Sequence, residues 1–283
     1  MLSDTITEKY SNLQETLRLL GSVAIGYSGG IDSTLVLRVA CDVLGANALA
    51  VIGRSATYPT REFEEALATA QKFGARIRVV DTEETDNLKF QQNPPNRCYF
   101  CKSELFGKLH AIAAEEGIAH IADGTITDDL VDFRPGMAAK REQNVRSPLL
   151  ETNFSKADVR ELAKHLGVPF WDKPSFACLA SRFPYWTGIT KENLMKIDSA
   201  ETFFRDHGFR QFRVRHHDDT TVRIELSQQE FPQLFDAAFR SKCVAHLKSL
   251  GYTYITVDLQ GYRTGSMNET LTADVKMEFQ QTL

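Results

Sequence analysis

The sequence of 283 residues has few cysteines, no excess of positive charge and no long apolar run. Five cysteines are too few for a disulfide scaffold, so we expect reduced thiols and a cytoplasmic protein. A formal net charge of −4 argues against nucleic acid as a partner. Apolar stretches such as residues 48–53 are far shorter than the roughly 20 residues of a membrane span. The first five residues also lack the basic and apolar regions of a secretory signal, so we expect no membrane partner.

The pattern of the first half favours an α/β fold. Short apolar runs predict strands at residues 23–27, 48–52, 76–80 and 119–122, and periodic patterns predict helices at residues 32–44 and 59–73. Because helical patterns of about 10–15 residues separate strands, we expect right-handed crossovers and a parallel sheet. A capping-box pattern at residues 155–158 predicts a further helix, which Gly167 closes.

The second half has a different pattern. An aperiodic segment at residues 171–190 marks the predicted domain junction. Beyond it, a small αββαβ unit is predicted, with elements at residues 191–207, 212–216, 221–226, 228–250 and 252–259. We therefore predict two domains, an α/β domain at residues 1–183 and a smaller α+β domain at residues 184–283.

A glycine-rich loop joins the first predicted strand to the following helix. Gly29 and Gly30 let the backbone wrap an anion closely, and the helix N-terminus offers unpaired N–H groups. Ser28 and Ser33 add hydroxyl donors, and Asp32 can reach a phosphate-bound Mg²⁺. A tight strand-to-helix turn without a ligand would have the same pattern. The loop is neither a Walker A loop nor a dinucleotide fingerprint.

This loop resembles the PP-loop of the ATP pyrophosphatases. The resemblance implies that ATP is cleaved to AMP and pyrophosphate while a substrate oxygen is adenylated, on a parallel sheet with helices on both faces. It also implies that Ser55, after the second strand, lies near adenine. Asp123 and Gly124, after the fourth strand, should approach the ribose or the phosphates at the carboxyl edge of the sheet.

Three cysteines lie outside the predicted helices. Cys98 and Cys101 form a C-x-x-C pair, Cys178 lies in the aperiodic segment, and all three have cationic neighbours that favour thiolates. A lone C-x-x-C fits a redox pair, half a zinc site or chance, whereas three thiolates can hold a metal or a [4Fe–4S] cluster with one open position. We expect Cys98 and Cys101 in one loop and Cys178 in another, with both loops meeting at the carboxyl edge of the sheet.

Over nearly its whole length the sequence resembles the LarE family of ATP-dependent sulfur transferases. The segments with this resemblance are residues 28–33, 132–136, 146–149, 181–185, 213–215, 223–225 and 258–268. It implies that ATP, with Mg²⁺, adenylates a carboxylate of a pyridinium dicarboxylate mononucleotide. A sulfur nucleophile then forms a thiocarboxylate for a nickel-pincer nucleotide cofactor, that of lactate racemase. Family members form hexamers, so a homo-oligomer is expected.

The same resemblance implies roles for the remaining site residues. Some members sacrifice the sulfur of one cysteine, here Cys178, whereas members with three cysteines hold a [4Fe–4S] cluster, here on Cys98, Cys101 and Cys178. Residues near the sulfur-transfer centre are Arg182, Glu201 and Glu225, each of which could instead belong to a structural ion pair.

Two arginines complete the expected site. Arg213 and Arg215 are two apart on a strand, so both side chains face one side. This spacing suits a phosphate clamp, and the resemblance assigns the pair to the substrate phosphate. A solvated strand face would show the same spacing.

Three other functions fit parts of this pattern. A PP-loop tRNA thiolase can have a similar cysteine triplet but needs a basic surface, which the net charge of −4 disfavours. An amide-forming ligase of the GMP or NAD synthetase kind would leave the cysteines without a role. A nucleotide sensor with a structural metal would bind ATP without releasing pyrophosphate.

Overall fold

The computed structural model describes residues 2–130, 136–173, 177–263, 265–272, 274–275 and 279. Residues 132–135, 174–176 and 264, which belong to segments singled out above, lie outside the described residues.

The first sheet contains four parallel strands in the order β3-β2-β1-β4. Their bounds are Val23–Gly26 (β1), Ala48–Arg54 (β2), Arg76–Asp81 (β3) and His120–Ala122 (β4). Among the described residues, the α-helices that accompany them are Asp4–Leu20 (α1), Ile31–Leu44 (α2), Thr60–Lys72 (α3), Leu88–Gln91 (α4), Arg97–Glu115 (α5), Gly136–Glu142 (α6), Pro148–Glu151 (α7) and Lys156–His165 (α8). The four predicted strands and the parallel sheet are confirmed.

Helices cover both faces of this sheet. Successive side chains of a strand point to opposite faces, so the apolar strands place apolar side chains on both faces, and helices bury them. Val23 and Ile25 of β1 pack in one fully buried cluster with side chains of α1, α2 and α8. Ala24, between them, packs in a second cluster with side chains of α5. The α/β class with helices on both faces is therefore confirmed.

A smaller mixed sheet follows in the order β5-β6-β7. Its strands are Phe212–His216 (β5), Thr221–Leu226 (β6) and Tyr254–Val257 (β7), and its helices are Lys191–Asp206 (α9), Phe231–Phe235 (α10) and Ala237–Ser249 (α11). Strand β6 pairs antiparallel with β5 and parallel with β7. Leu179, Ala180 and Phe183 also pack in the hydrophobic core of this unit. The boundary between residues 183 and 184 stays a prediction.

Two expectations about local structure were wrong. Residues 228–250 do not form one helix. The backbone of Asp236 is not helical, and its side chain accepts a hydrogen bond from the Phe239 amide, so that Asp236 caps a new helix. Cys98 and Cys101 do not lie in a loop but in the first turns of α5. Helices α1 and α5 were not predicted from the sequence.

None of the helices in the described part of the chain is both long enough and apolar enough to cross a membrane.

Candidate functional site

The glycine-rich loop is a compact turn between β1 and α2. The φ of Gly29 is +65°, and a Cβ atom there would lie 2.6 Å from the Ala66 Cβ, so only glycine fits. The Ser33 hydroxyl lies 3.1 Å from the Ser28 hydroxyl and donates to the Gly30 carbonyl. The loop therefore presents two hydroxyls beside the N-terminus of a helix of 14 residues. This arrangement suits an anion.

Asp32 lies in the first turn of α2. Its two carboxylate oxygens accept hydrogen bonds from the Lys156 ammonium at 2.7 and 2.6 Å. Lys156 begins α8, whose predicted capping box is present at Ser155 and Asp158. The partner of Asp32 had not been predicted, because 124 residues separate the two side chains.

The loop after β4 packs directly on this helix terminus. A Cβ atom on Gly124 would lie 2.5 Å from the Ser33 backbone nitrogen, so the close approach requires glycine. The neighbouring Asp123 accepts hydrogen bonds from the Thr125 hydroxyl at 2.6 Å and from the Ser147 hydroxyl at 2.5 Å. The structure thus brings Asp123 and Gly124 to the glycine-rich loop at residues 28–33, which we call the phosphate loop. Neighbouring hydroxyls hold the Asp123 carboxylate.

Lys140 of α6 was not predicted as a site residue. Its ammonium lies 3.7 Å from an Asp123 carboxylate oxygen. Burial lowers the pKa of Lys140. Within the described residues the buried ammonium has no hydrogen-bond acceptor. No local pattern in the sequence distinguishes it from a surface lysine.

The turn after β2 contains Ser55, whose hydroxyl accepts a hydrogen bond from the Thr57 amide at 3.1 Å. The next side chain, Tyr58, donates from its hydroxyl to the Ser28 carbonyl at 2.8 Å. The predicted adenine-side residue and the phosphate loop are therefore held together by this turn.

The three cysteines are near one another, although they come from two segments. Cys178 directly precedes a 3-10 turn at Leu179–Arg182. Burial raises the pKa of Cys178, Cys98 adds to this rise, and Arg97 opposes it. Burial also raises the pKa of Cys101, and the nearby Glu84, Cys178 and Cys98 add to this rise. Burial therefore outweighs the cations that we expected to favour thiolates at these two positions.

The cysteines are all free thiols. In the part of the chain that the structure describes, no group of three or more His, Cys, Asp or Glu side chains is arranged as a metal site. The three thiols thus share one region without forming a ready-made set of ligands.

Arg182 and Glu201 form a buried ion pair behind Cys178. Two guanidinium nitrogens of Arg182 donate to the two Glu201 oxygens, each at 2.8 Å. The third nitrogen donates to the Ala177 carbonyl at 2.7 Å and to the Cys178 carbonyl at 3.2 Å. Arg182 is 1% exposed and Glu201 3%. The pair therefore fixes the backbone that presents Cys178.

Arg213 and Arg215 share one face of β5, but their surroundings differ. Arg215 donates to Glu225 at 2.7 Å and to the Ser181 carbonyl at 3.0 Å, and it is 4% exposed. The solvated strand face that we had considered is therefore wrong for Arg215. Arg213 lies 5.1 Å from the Tyr262 ring centroid. Burial and the nearby Arg182 lower the pKa of Arg213 to about 10, which marks a region crowded with positive charge.

Comparison with known proteins identifies the family. A family model described as NAD synthase matches residues 6–112. An uncharacterized protein of Synechocystis sp. is 42% identical over 94% of this chain and 99% of its own length. The pyridinium-3,5-bisthiocarboxylic acid mononucleotide synthase of Lactiplantibacillus plantarum is 39% identical over 95% of this chain and 96% of its own. The chain belongs to the LarE family of ATP-dependent sulfur transferases.

Some more distant relatives match only about half of this LarE-family chain. The argininosuccinate synthase of Pyrococcus furiosus is 27% identical over 53% of this chain and 40% of its own length. The wider match agrees with the PP-loop resemblance, and the near relatives cover both units of the LarE-family fold.

The buried ion pair of this LarE-family protein gives a stability prediction. Glu201→Ala leaves the Arg182 guanidinium buried without its carboxylate, so we expect the free energy of unfolding to fall by about 3–5 kcal/mol. Urea denaturation measures this change. Glu192→Ala removes an exposed partner of Lys196 on the same helix and should cost at most about 0.5 kcal/mol. Equal effects of the two substitutions would contradict the structural role of Glu201.

Proposed function

We propose that this protein adenylates a carboxylate of pyridinium-3,5-dicarboxylate mononucleotide with ATP and converts it to a thiocarboxylate. The observation that supports this most directly is the link between the two halves of the site. The amide of Leu179, next to Cys178, donates to the Thr57 carbonyl at 2.8 Å, and Thr57 belongs to the turn after β2. The segment that contains Cys178 is thus hydrogen-bonded to the edge of the sheet where the phosphate loop lies.

The phosphate loop would bind ATP and hold its phosphates. Donors to the phosphate oxygens would be the hydroxyls of Ser28 and Ser33 and the first amides of α2. Ser55 would lie on the adenine side. Asp123 and Gly124 would lie beside the ribose or the phosphates. Asp32 has carboxylate oxygens in the first turn of α2, the ligand type that Mg²⁺ prefers, so it fits the ion that accompanies ATP. A bound Mg²⁺ would offset charge on the departing pyrophosphate.

The sulfur source that we propose is a [4Fe–4S] cluster held by Cys98, Cys101 and Cys178. The donor set fits, because three free thiols from two segments lie in one region and thiolates are the ligands of such clusters. Arg97 and Arg182 supply positive charge beside Cys178. The cluster would leave one iron without a protein thiolate, where sulfide can bind. The alternative source is the Cys178 sulfur itself.

The substrate phosphate would bind at Arg213 and Arg215. The lowered pKa of Arg213 supports this role, since an anion there relieves repulsion between neighbouring guanidinium groups. Glu225 accepts from both Arg215 and Arg223 and is fully buried, so it would hold Arg215 in position. A homo-oligomer remains a prediction.

Arg213→Ala should weaken binding of the pyridinium mononucleotide about ten- to a hundredfold, because a charge-assisted bond to phosphate contributes about 1.5–3 kcal/mol. Calorimetric titration with substrate and with ATP separates the two sites, and ATP affinity should be unchanged. Arg210→Ala, at an exposed position just before β5, is the control. A similar loss for both ligands would place Arg213 elsewhere in the mechanism.

The proposed reaction is tested by supplying ATP and the pyridinium substrate together. We expect pyrophosphate and AMP to appear only with both, and mass spectrometry to show one oxygen of the substrate replaced by sulfur. Transfer RNA should not replace the substrate. Pyrophosphate release with tRNA instead would favour a thiolase, and binding of ATP without any release would favour a sensor.

A further inference from the structure

The turn at residues 55–58 contacts two functional parts of the molecule, the phosphate loop and the segment that contains Cys178. Its Tyr58 hydroxyl donates to the Ser28 carbonyl in the phosphate loop at 2.8 Å. Its Thr57 carbonyl accepts a hydrogen bond at 2.8 Å from the amide of Leu179, the residue after Cys178. Adjacent residues of one short turn therefore contact the nucleotide loop and the residue that follows Cys178.

Thr57 is fixed on its side-chain end as well. Its hydroxyl donates to a Glu84 carboxylate oxygen at 2.7 Å and lies 2.9 Å from the Ser55 hydroxyl. Thr57 is 4% exposed and Glu84 is 2% exposed, so water does not compete for these bonds. A residue held at both ends in this way moves with its turn, and the Leu179 amide must move with it or lose its acceptor.

Glu84 gives the turn its anchor outside both loops. It begins a short 3-10 turn after β3 at Glu84–Asp86, and one of its oxygens accepts from Thr57. Within the described residues its other oxygen, also buried, has no hydrogen-bond donor. The Glu84 carboxylate thus anchors Thr57, and its charge also lies close enough to Cys101 to add to the rise in the pKa of that thiol.

We propose that Thr57, anchored by Glu84, is a positioning residue that couples nucleotide binding at the phosphate loop to the placement of Cys178. Phosphate groups in the loop act on Ser28, Tyr58 transfers that displacement to the turn, and Thr57 transfers it to Leu179. The identity of the nucleotide as ATP rests on the proposed function, whereas the coupling itself rests on the hydrogen bonds.

In protein without a bound cluster, where Cys178 is a free thiol, alkylation of Cys178 by iodoacetamide followed by peptide mass spectrometry measures this coupling without sulfur transfer. A saturating non-hydrolysable ATP analogue should change the alkylation rate of Cys178 about fivefold or more in the native protein, the usual lower range of such coupling. Thr57→Val keeps the side-chain shape but removes the hydroxyl bond to Glu84, which holds the Thr57 carbonyl in place for the Leu179 amide. The analogue effect should therefore largely disappear in this variant. Thr57→Ser should retain it. Thr256→Val, which removes a comparable hydroxyl bond to the Val222 carbonyl in the second sheet, is the matched control.

Binding of the analogue to each variant is measured in parallel by calorimetry. A full analogue effect in Thr57→Val would overturn the proposal, since the anchored Thr57 hydroxyl would then not be required for the coupling. No effect in the native protein, despite bound analogue, would also overturn it. Failure of the native protein to bind the analogue would contradict the proposed function and the coupling together, which separates that outcome from the first two.

A second variant covers the case in which Thr57→Val does not fold. Glu84→Met replaces the carboxylate with an apolar side chain of similar length, which removes the acceptor for the Thr57 hydroxyl. We expect the same loss of the analogue effect at Cys178 as in Thr57→Val. An unchanged effect in Glu84→Met would show that the anchor is not required, and would overturn its assigned role.

Discussion

Asp32→Ala is expected to slow pyrophosphate release about 10²–10³-fold, the loss typical of one preorganised electrostatic contact in a catalytic site. Asp32 lies in the first turn of α2, where its carboxylate is half-buried and is held by the Lys156 ammonium. Removing it takes away the oxygens that fit Mg²⁺ and leaves the ammonium without its partner. A coupled assay for pyrophosphate in the presence of both substrates measures the effect.

Asp42→Ala is the matched control for this prediction. Asp42 lies at the other end of the same helix and pairs with Arg38 at 2.9 Å. The substitution removes the same chemical group from α2 and should leave pyrophosphate release unchanged. The circular dichroism spectrum should be the same for both variants. Native turnover in Asp32→Ala would remove this residue from the ATP site.

The fold was predictable to the extent that its signals are local. Strands β5 and β6 have the predicted bounds, and the capping box at Ser155 is present, because strand alternation and helix capping depend on neighbouring residues. The break at Asp236 was missed because its side chain caps a helix inside a continuous helical pattern. Helix α5 was missed because a C-x-x-C pair after two prolines suggested a loop. Cys98 and Cys101 instead lie in the first turns of a helix of 19 residues.

The site was predictable only where residues form motifs. The phosphate loop, the cysteines and the arginines of β5 have recognisable spacing. Hydrogen bonds connect the segments around them, from Tyr58 to Ser28, from Leu179 to Thr57 and from Arg215 to Ser181. Thr57, Glu84 and Lys140 have no such spacing. Their importance comes from contacts such as that between Thr57 and Glu84, which are 27 residues apart, and from burial that depends on the packed chain. A single threonine or lysine in a sequence has no pattern that reveals this.

Cys178→Ala should abolish thiocarboxylate formation while ATP-dependent release of pyrophosphate persists. The thiol lies on the segment held by Arg182 and Leu179, whereas the phosphate loop precedes α2. Both proposed sulfur sources require Cys178, so this variant separates activation of the carboxylate from sulfur transfer. Product formation is measured by mass spectrometry and pyrophosphate by the coupled assay. Thiocarboxylate formed by Cys178→Ala would exclude both sources.

The variants Cys98→Ala and Cys101→Ala distinguish the cluster from the sacrificial cysteine. If a [4Fe–4S] cluster supplies the sulfur, each should lose bound iron, sulfide and visible absorption after anaerobic reconstitution, and should lose sulfur transfer as well. Cys41→Ala is the control, because burial raises the pKa of that thiol to about 11 and it lies on α2. Iron content in the control should match the native protein.

The sacrificial alternative predicts the opposite pattern in the same experiment. The Cys178 sulfur would attack the acyl adenylate and displace AMP, and cleavage of its Cβ–S bond with loss of the Cα proton would leave dehydroalanine. Cys98→Ala and Cys101→Ala would then stay active for one turnover, and the native protein would lose the mass of H₂S at position 178. Besides burial, Cys98 raises the pKa of Cys178, and Cys178 and Cys98 both raise the pKa of Cys101, so we expect all three to act together. An intact Cys178 after several turnovers of reconstituted protein is the result that we predict.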